Sequence, residues 1–128
     1  MELKNSFYQI TAKEVESSAV SYEIQLDANH TIYKAHFPGE PVTPGVCIIQ
    51  IAKELTEDHT GHSYEISGVK NVKFLAVISP LESPCVRYVF EKITPAEDGS
   101  GLKAQVRVES IDQATQFAKL SLSCTTKP

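Results

Sequence analysis

Cysteine is sparse in this sequence: Cys47, Cys85 and Cys124 are the only three among 128 residues. So odd and scattered a set gives no disulfide framework, which excludes the small secreted scaffolds and points to a reducing compartment. Long apolar runs are missing too, since none approaches the ~20 residues needed to cross a bilayer. The stretch from Met1 to Ile10 lacks the basic-then-apolar order of a secretion signal. The sequence therefore reads as cytoplasmic, with no membrane partner. An excess of basic residues is also absent. Twelve Lys and Arg against 16 Asp and Glu leave a formal charge of −4. That balance argues against nucleic acid and anionic lipid surfaces, both of which attract a basic face. It leaves room for an acidic protein partner held by a local basic patch. No internal repeat or low-complexity segment is found.

What the sequence does have is ordinary globular material, 41% apolar and 22% charged. Its length suits a single domain over residues 1–128. A chain of this size can bury roughly two thirds of its unfolded surface. From Val20 to Asp27 the apolar Val20, Tyr22, Ile24 and Leu26 alternate with Ser21, Glu23, Gln25 and Asp27. Such a period of two marks a half-buried strand. Ala104, Val106 and Val108 repeat the pattern, as do Ala118, Leu120, Leu122 and Cys124. Val86, Tyr88 and Phe90 suggest a further strand, and Ile66 to Phe74 a weaker one.

One segment has helical spacing, from Pro44 to Asp58. Thr43 is expected as its N-cap and Pro44 as its first residue, where the missing N–H costs nothing. Val46, Ile48, Ile49, Ile51, Ala52 and Leu55 cover most of its circumference, so the helix must be largely buried. Gln50, Lys53, Glu54 and Glu57 form its narrow polar stripe, with Gly61 beyond its end. Strands with one apolar helix and turns at Pro80, Pro84 and 97–101 imply an α+β layer. A curved antiparallel sheet wrapped around one central helix satisfies this order.

Chemistry concentrates between Asn29 and Gln50. Pro38, Gly39, Pro41, Pro44 and Gly45 fix a specific backbone path. That path sets His36 before a rigid turn and then launches the helix. The first peptide N–H groups of the helix, around Gly45 and Val46, have no intrahelical acceptor and carry the positive end of its dipole. A histidine beside such donors pairs a base with an oxyanion site.

The run His36-Phe37-Pro38-Gly39-Glu40-Pro41-Val42-Thr43-Pro44-Gly45-Val46 resembles the HFPG-x-P-[VI]-x-PG-V signature of the beta-hydroxyacyl-acyl-carrier-protein dehydratases. Asn29 to Ala35 is similar to the family's approach to that histidine. Val69-Lys70-Asn71-Val72-Lys73-Phe74, with Pro80 after it, is similar to the family's strand ending in a Lys/Arg-Phe pair and a proline turn. The resemblance covers about half the chain. It implies a hotdog fold, a homodimer or higher oligomer, and an acyl tunnel between subunits. It implies dehydration of 3-hydroxyacyl thioesters on acyl carrier protein to trans-2-enoyl thioesters, in fatty-acid or related lipid biosynthesis. His36 would remove the C2 proton. Phe37, Pro44, Gly45 and Val46 would line the substrate site, with helix amides on the thioester carbonyl. A helix carboxylate from the partner subunit would help the 3-hydroxyl leave. No cofactor and no metal are implied.

The sequence departs from the family at the acid. The family's Glu or Asp stands where this chain has Gln50, and Glu54 lies one turn further on, so the pair looks swapped. Glutamine bonds a hydroxyl but has no titratable proton. Three readings follow: Gln50 orients the hydroxyl while His36 returns the proton; Glu54 supplies the acid from a displaced position; or the chain is a weakly active or noncatalytic subunit that needs an active partner in a heterodimer. A thioesterase is a further alternative, because the fold hosts that chemistry too. Gln50 and Glu54 can equally belong to the solvated stripe with Lys53 and Glu57. His30 is expected to cap or fill a turn, His59 and His62 to be exposed side chains despite their HxxH spacing, and Cys47 to be core. Phe37 and Tyr33 are expected to pack near the tunnel. Lys70 and Lys73 are expected to be solvated strand residues, with the acidic carrier protein or its phosphopantetheine phosphate as the alternative contact.

Overall fold

A computed structural model describes residues 2–127. Its elements, in chain order, are β1 (Tyr8–Val15), β2 (Val20–Leu26), α1 (Thr31–Ala35), α2 (Gly45–Thr60), β3 (Tyr64–Phe74), β4 (Cys85–Pro95), β5 (Gly101–Ser110) and β6 (Gln116–Thr126). The strands form one six-stranded sheet in the order β1-β2-β4-β5-β6-β3, with every neighbouring pair antiparallel. Four of the five pairings slip by a residue somewhere along their length, for example between Ile66 and Gly68 or between Phe90 and Lys92. Such bulges bend a strand and increase its twist. The sheet curves and α2 lies in its hollow.

The alternation seen in the sequence sets which face is inside. Tyr22, Ile24 and Leu26 of β2, Val106 and Val108 of β5, and Leu120 and Leu122 of β6 are buried, and they meet Cys47, Ile48, Ile51, Ala52 and Leu55 of α2. Burying one such side chain is worth about 1.5–3 kcal/mol.

Tyrosines fasten α2 to the sheet by their hydroxyls. Tyr88 donates to the carbonyl of Ile48 at 2.9 Å, Tyr22 to Asp58 at 2.8 Å and Tyr8 to Glu54 at 3.0 Å. A buried phenol needs such a partner, and burial pushes the pKa of each of these tyrosines upward.

Several expectations need correction. The helix begins at Gly45 with Pro44 as N-cap, and no side chain caps it. Thr43 is buried instead, and its Oγ1 shares a 2.8 Å hydrogen bond with the hydroxyl of Tyr33. A threonine drawn inward by a buried phenol cannot turn back onto the helix amides. Glu54 leaves the solvated stripe, being only 4% exposed, while Val46 leaves the apolar set at 63% exposed. Gly61 ends the helix as a left-handed C-cap at φ 78°, a conformation that favours glycine.

Candidate active site

His36 is held by backbone on both sides. Its own N–H donates to the carbonyl of Tyr33 at 3.2 Å, closing α1, and its carbonyl accepts from Val42 N–H at 3.0 Å. α1 in turn starts on His30, whose Nδ1 accepts from Ile32 N–H at 3.1 Å, so this histidine caps a turn as the sequence suggests. Between them, Phe37 and Glu40 exchange hydrogen bonds across a tight turn in which Gly39 takes a φ of +81°. Thr43 N–H then reaches the carbonyl of Ile78 at 2.9 Å, tying the loop to the segment after β3. The prolines thus lie in a pinned path.

At the end of that path α2 opens. Cys47 and Ile48 N–H both return to the carbonyl of Pro44, whereas no acceptor for the N–H groups of Gly45 or Val46 is found among the described residues. These are the orphan donors of a helix start, at the positive end of its dipole. His36, Pro44 and Gly45 line one cavity of about 390 Å³ together with Val42, Thr43, Ile48 and the 74–78 segment. Most lining residues are apolar, among them Val42, Ile48, Leu75 and Val77, and His36 and Thr43 are the polar ones. A base, a pair of amides and an apolar wall can together take a proton next to a carbonyl whose oxygen is being held.

The structure brings His36, Pro44 and Gly45 together, but not every expected site residue joins them. The side chain of Val46 points out of this cavity, and only its N–H belongs to the helix start. Phe37 does not pack inside; it is 53% exposed and lies stacked on the His36 ring, centroids 4.3 Å apart. The turn at 37–40 carries it outward. Tyr33 is buried as expected, stacked on Phe7. Gln50 and Glu54 line a different hollow, of about 660 Å³ and strongly polar, with Lys4, Lys53, Glu57 and Asp58. Within one chain they do not face His36.

Glu54 is fully engaged there. It accepts from the N–H groups of Leu3 and Lys4, from the Tyr8 hydroxyl and from Gln50 Nε2, at 2.7 to 3.0 Å. The segment Phe74 to Ile78, which builds half of the cavity wall, was missed in the sequence, although the Lys73-Phe74 pair marks its start. Cys47 is core, as its apolar neighbours suggest, and burial raises its thiol. Lys70 and Lys73 are exposed. His62 is exposed, but His59 is only partly so, and its Nδ1 is buried without a partner among the described residues. No group of three or more His, Cys, Asp or Glu gathers as a metal site among the described residues.

The chain is similar to known proteins in sequence and in fold. The profile of the ApeI-like family, described as ApeI dehydratase, matches residues 12–98. Among curated relatives, the 3-hydroxyacyl-[acyl-carrier-protein] dehydratase FabZ of Latilactobacillus sakei is 31% identical over 72 residues, covering 51% of each chain. FabZ of Chloroflexus aggregans is 27% identical over 107 residues, covering 78% of this chain and 72% of the relative. The chain spans about half the length of the first curated relatives it matches. The dehydratase heterocomplex ApeI:P of Xenorhabdus doucetiae superposes with a TM-score of 0.65 at 17% identity, over 91% of this chain and 96% of that one. A mutant thioesterase of Pseudomonas aeruginosa gives 0.65 at 13% identity, over 94% of this chain and 81% of the other. These structural likenesses establish the hotdog fold.

Proposed function

The chain belongs to the ApeI-like dehydratase family, and from that premise we propose that it removes water from 3-hydroxyacyl thioesters carried on acyl carrier protein, leaving trans-2-enoyl thioesters. The observation that carries this reading is the shared cavity of His36 and the free amides that open α2. Fold alone is silent on chemistry, so the thioesterase-like structures lend that alternative no support beyond the fold.

His36 takes the C2 proton, and the electron pair left behind moves toward the thioester carbonyl. The N–H groups of Gly45 and Val46 hold the oxygen on which that charge collects. One such preorganised donor is typically worth about 3 kcal/mol, and a positioned base adds ~10²–10⁴-fold. The C3–O bond then breaks as the double bond forms, and the imidazolium returns its proton to the departing hydroxyl as water. Gln50 hydrogen-bonds the hydroxyl without donating a titratable proton.

Within one chain Gln50 lies apart from His36, so the reading includes a second subunit. Phe37, Val46, Phe74, Leu75 and Val77 are all more than half exposed, and exposed apolar patches mark interaction sites. β3 ends the sheet with an unpaired edge. A second copy paired there covers the patch and brings its α2, with Gln50, toward His36. The three free cysteines support a reducing cytoplasm.

Gln50 also favours a second reading. A symmetric pair of these chains carries no acid at that helix position, so a different hotdog subunit with Glu or Asp there would complete a stronger site. The ApeI:P dehydratase of Xenorhabdus doucetiae is itself a heterocomplex.

The test is turnover of a 3-hydroxyacyl carrier protein, followed by loss of water in the mass of the acyl group. The purified chain is expected to dehydrate it, and His36→Ala to be slower by ~10²–10⁴-fold. Turnover only when a carboxylate-bearing partner is added supports the second reading. Release of free thiol in place of enoyl product contradicts both.

A further inference from the structure

Tyr33 and Thr43 take no part in the steps above, yet both are buried beside the reacting groups, at 1% and 5% exposed. Their hydroxyls share a 2.8 Å hydrogen bond between positions ten residues apart in the chain, and His36 lies inside the loop that this bond closes. The backbone repeats the enclosure. The carbonyl of Tyr33 accepts from His36 N–H at 3.2 Å, and the carbonyl of His36 accepts from Val42 N–H at 3.0 Å. A peptide bond joins Val42 to Thr43, and the hydroxyl pair leads back to Tyr33. Together these bonds make a closed circuit with the histidine in it.

Both ends of the circuit are anchored. On one side the Tyr33 ring is stacked on Phe7, with centroids 4.8 Å apart and planes 22° apart, and Phe7 meets the His30 ring edge-on at 5.2 Å. Phe7 is itself fully buried, so packing sets the direction of the phenol. On the other side Thr43 N–H donates to the carbonyl of Ile78 at 2.9 Å. Pro44 and Gly45 follow directly and open α2. Turning either hydroxyl away would leave two buried polar groups unpaired, which is costly. The pair is thus a side-chain link between the loop that carries the imidazole and the start of the helix that carries the free amides.

We propose that Tyr33 and Thr43 are positioning residues whose shared hydrogen bond fixes the separation of the His36 imidazole from the N–H groups of Gly45 and Val46. The catalytic role rests on the reading in which those groups act on one thioester. Proton removal at C2 and charge uptake at the carbonyl oxygen then occur on neighbouring parts of the substrate, so base and amides must reach them together. A misplacement of about 1 Å can cost roughly 10²-fold in rate. The effect passes through the backbone on either side of His36, so it needs no contact between the Tyr33 hydroxyl and the substrate. It also gives a use to the inward turn of Thr43: no side chain caps the helix, and its first amides stay open to a ligand.

Kinetics and amide exchange on the full-length protein test this. Tyr33→Phe and Thr43→Val each remove one hydroxyl and nearly keep the shape. Each is expected to lower kcat for dehydration about 10- to 100-fold with KM unchanged, and the double variant to lose little more than either, because the link is already broken. Thr43→Ser keeps a hydroxyl and is expected to stay close to the wild-type kcat, which leaves a comparison even where one of the other variants fails to fold. Tyr22→Phe removes a different buried phenol, the one bonded to Asp58; it is expected to lower Tm and leave kcat alone. In the 15N-labelled chain, Tyr33→Phe and Thr43→Val should speed exchange of the His36 and Val42 amide protons, and Tyr22→Phe should not. A kcat that Tyr33→Phe lowers no further than Tyr22→Phe overturns the proposal, as do additive losses in the double variant or His36 and Val42 amides that ignore both substitutions. A wild-type chain that shows the exchange effect and no dehydration supports the link and overturns the dehydration reading instead.

Discussion

Phe74 rests its ring against Gly45 so closely that a Cβ added to the glycine would stand 2.8 Å from the ring's Cζ. The glycine that opens α2 therefore lets an aromatic wall of the His36 cavity come down onto the helix start. Phe74 is 52% exposed, so its ring can swing away. Gly45→Ala is expected to leave Tm nearly unchanged, because alanine's better helix propensity, roughly 1 kcal/mol, offsets the displaced ring. Dehydration should fall by about tenfold or more as the cavity wall moves off the amides. Phe74→Ala in the same chain should relieve part of that loss, and a double-mutant cycle on kcat/KM measures the coupling. Additive losses would show that the contact has no bearing on catalysis.

Gln50→Glu should not act as a simple restoration of the family acid. Glu54 Oε2 lies 2.7 Å from the Gln50 amide nitrogen, so the new carboxyl would share that space with a carboxylate. Two such groups cannot both ionise, and one pKa is driven upward. The new side chain is expected to stay protonated at low pH, where it can serve as general acid, and to lose that capacity as pH rises through its raised value. Dehydration by the variant should therefore fall toward high pH relative to wild type. Stability follows the same sign: a carboxyl with a raised folded pKa favours the fold below that value and disfavours it above. A pH–rate profile and Tm values across the same range check both statements.

Asp58 predicts a different acid response. Partial burial alone would raise its carboxyl. The hydrogen bonds from Lys4 at 3.0 Å and from the Tyr22 hydroxyl at 2.8 Å, with the charges of Lys4 and Lys13, outweigh it and hold the group below the usual aspartate range. A lowered folded pKa contributes stability that is complete above the unfolded value of about 3.9 and disappears as pH falls through the folded one. Wild-type Tm should fall across that acid window. Asp58→Asn should start lower at neutral pH and fall less. Equal slopes for the two proteins would refute the assignment.

The thiols should separate by burial. Burial pushes Cys124 up to about 11, and burial followed by the charge of Glu54 also raises Cys47. Cys85, at the start of β4, is partly exposed. Since the thiolate is the reactive form, native protein near pH 8 is expected to react with a disulfide reagent rapidly at Cys85 alone, and at all three positions after unfolding. Peptide mapping of the labelled sites decides it.

Much of this was legible in advance where period and burial agree. The alternation from Val20 onward ends one residue beyond the observed strand, because both faces of β2 obey a simple rule. The helix was placed within two residues at either end, since its apolar set is dense and Gly61 stops it. The proline-rich path after His36 is legible in the sequence, and backbone bonds between His36 and Val42 and between Thr43 and Ile78 pin it. What escaped depends on distant partners. Glu54 looked solvated because its donors Leu3, Lys4 and Tyr8 lie 46 to 51 residues earlier in the chain. Thr43 looked like a cap because nothing local reveals the Tyr33 hydroxyl beside it. α1 is only five residues long, too short to display a helical period. β1 has mostly exposed residues, so it shows no alternation in what it buries.

In the proposed reaction the imidazole of His36 moves the C2 proton of a thioester whose oxygen is held by the amides at the start of α2. Dehydration is reversible, so this step can be watched from the product side. A trans-2-enoyl carrier protein hydrated in D2O should acquire one deuterium at C2, delivered from the ring of His36. Mass analysis of the acyl group is expected to show that label with the wild-type chain and only a trace over the same time with His36→Ala. Equal labelling by the two proteins would contradict the account.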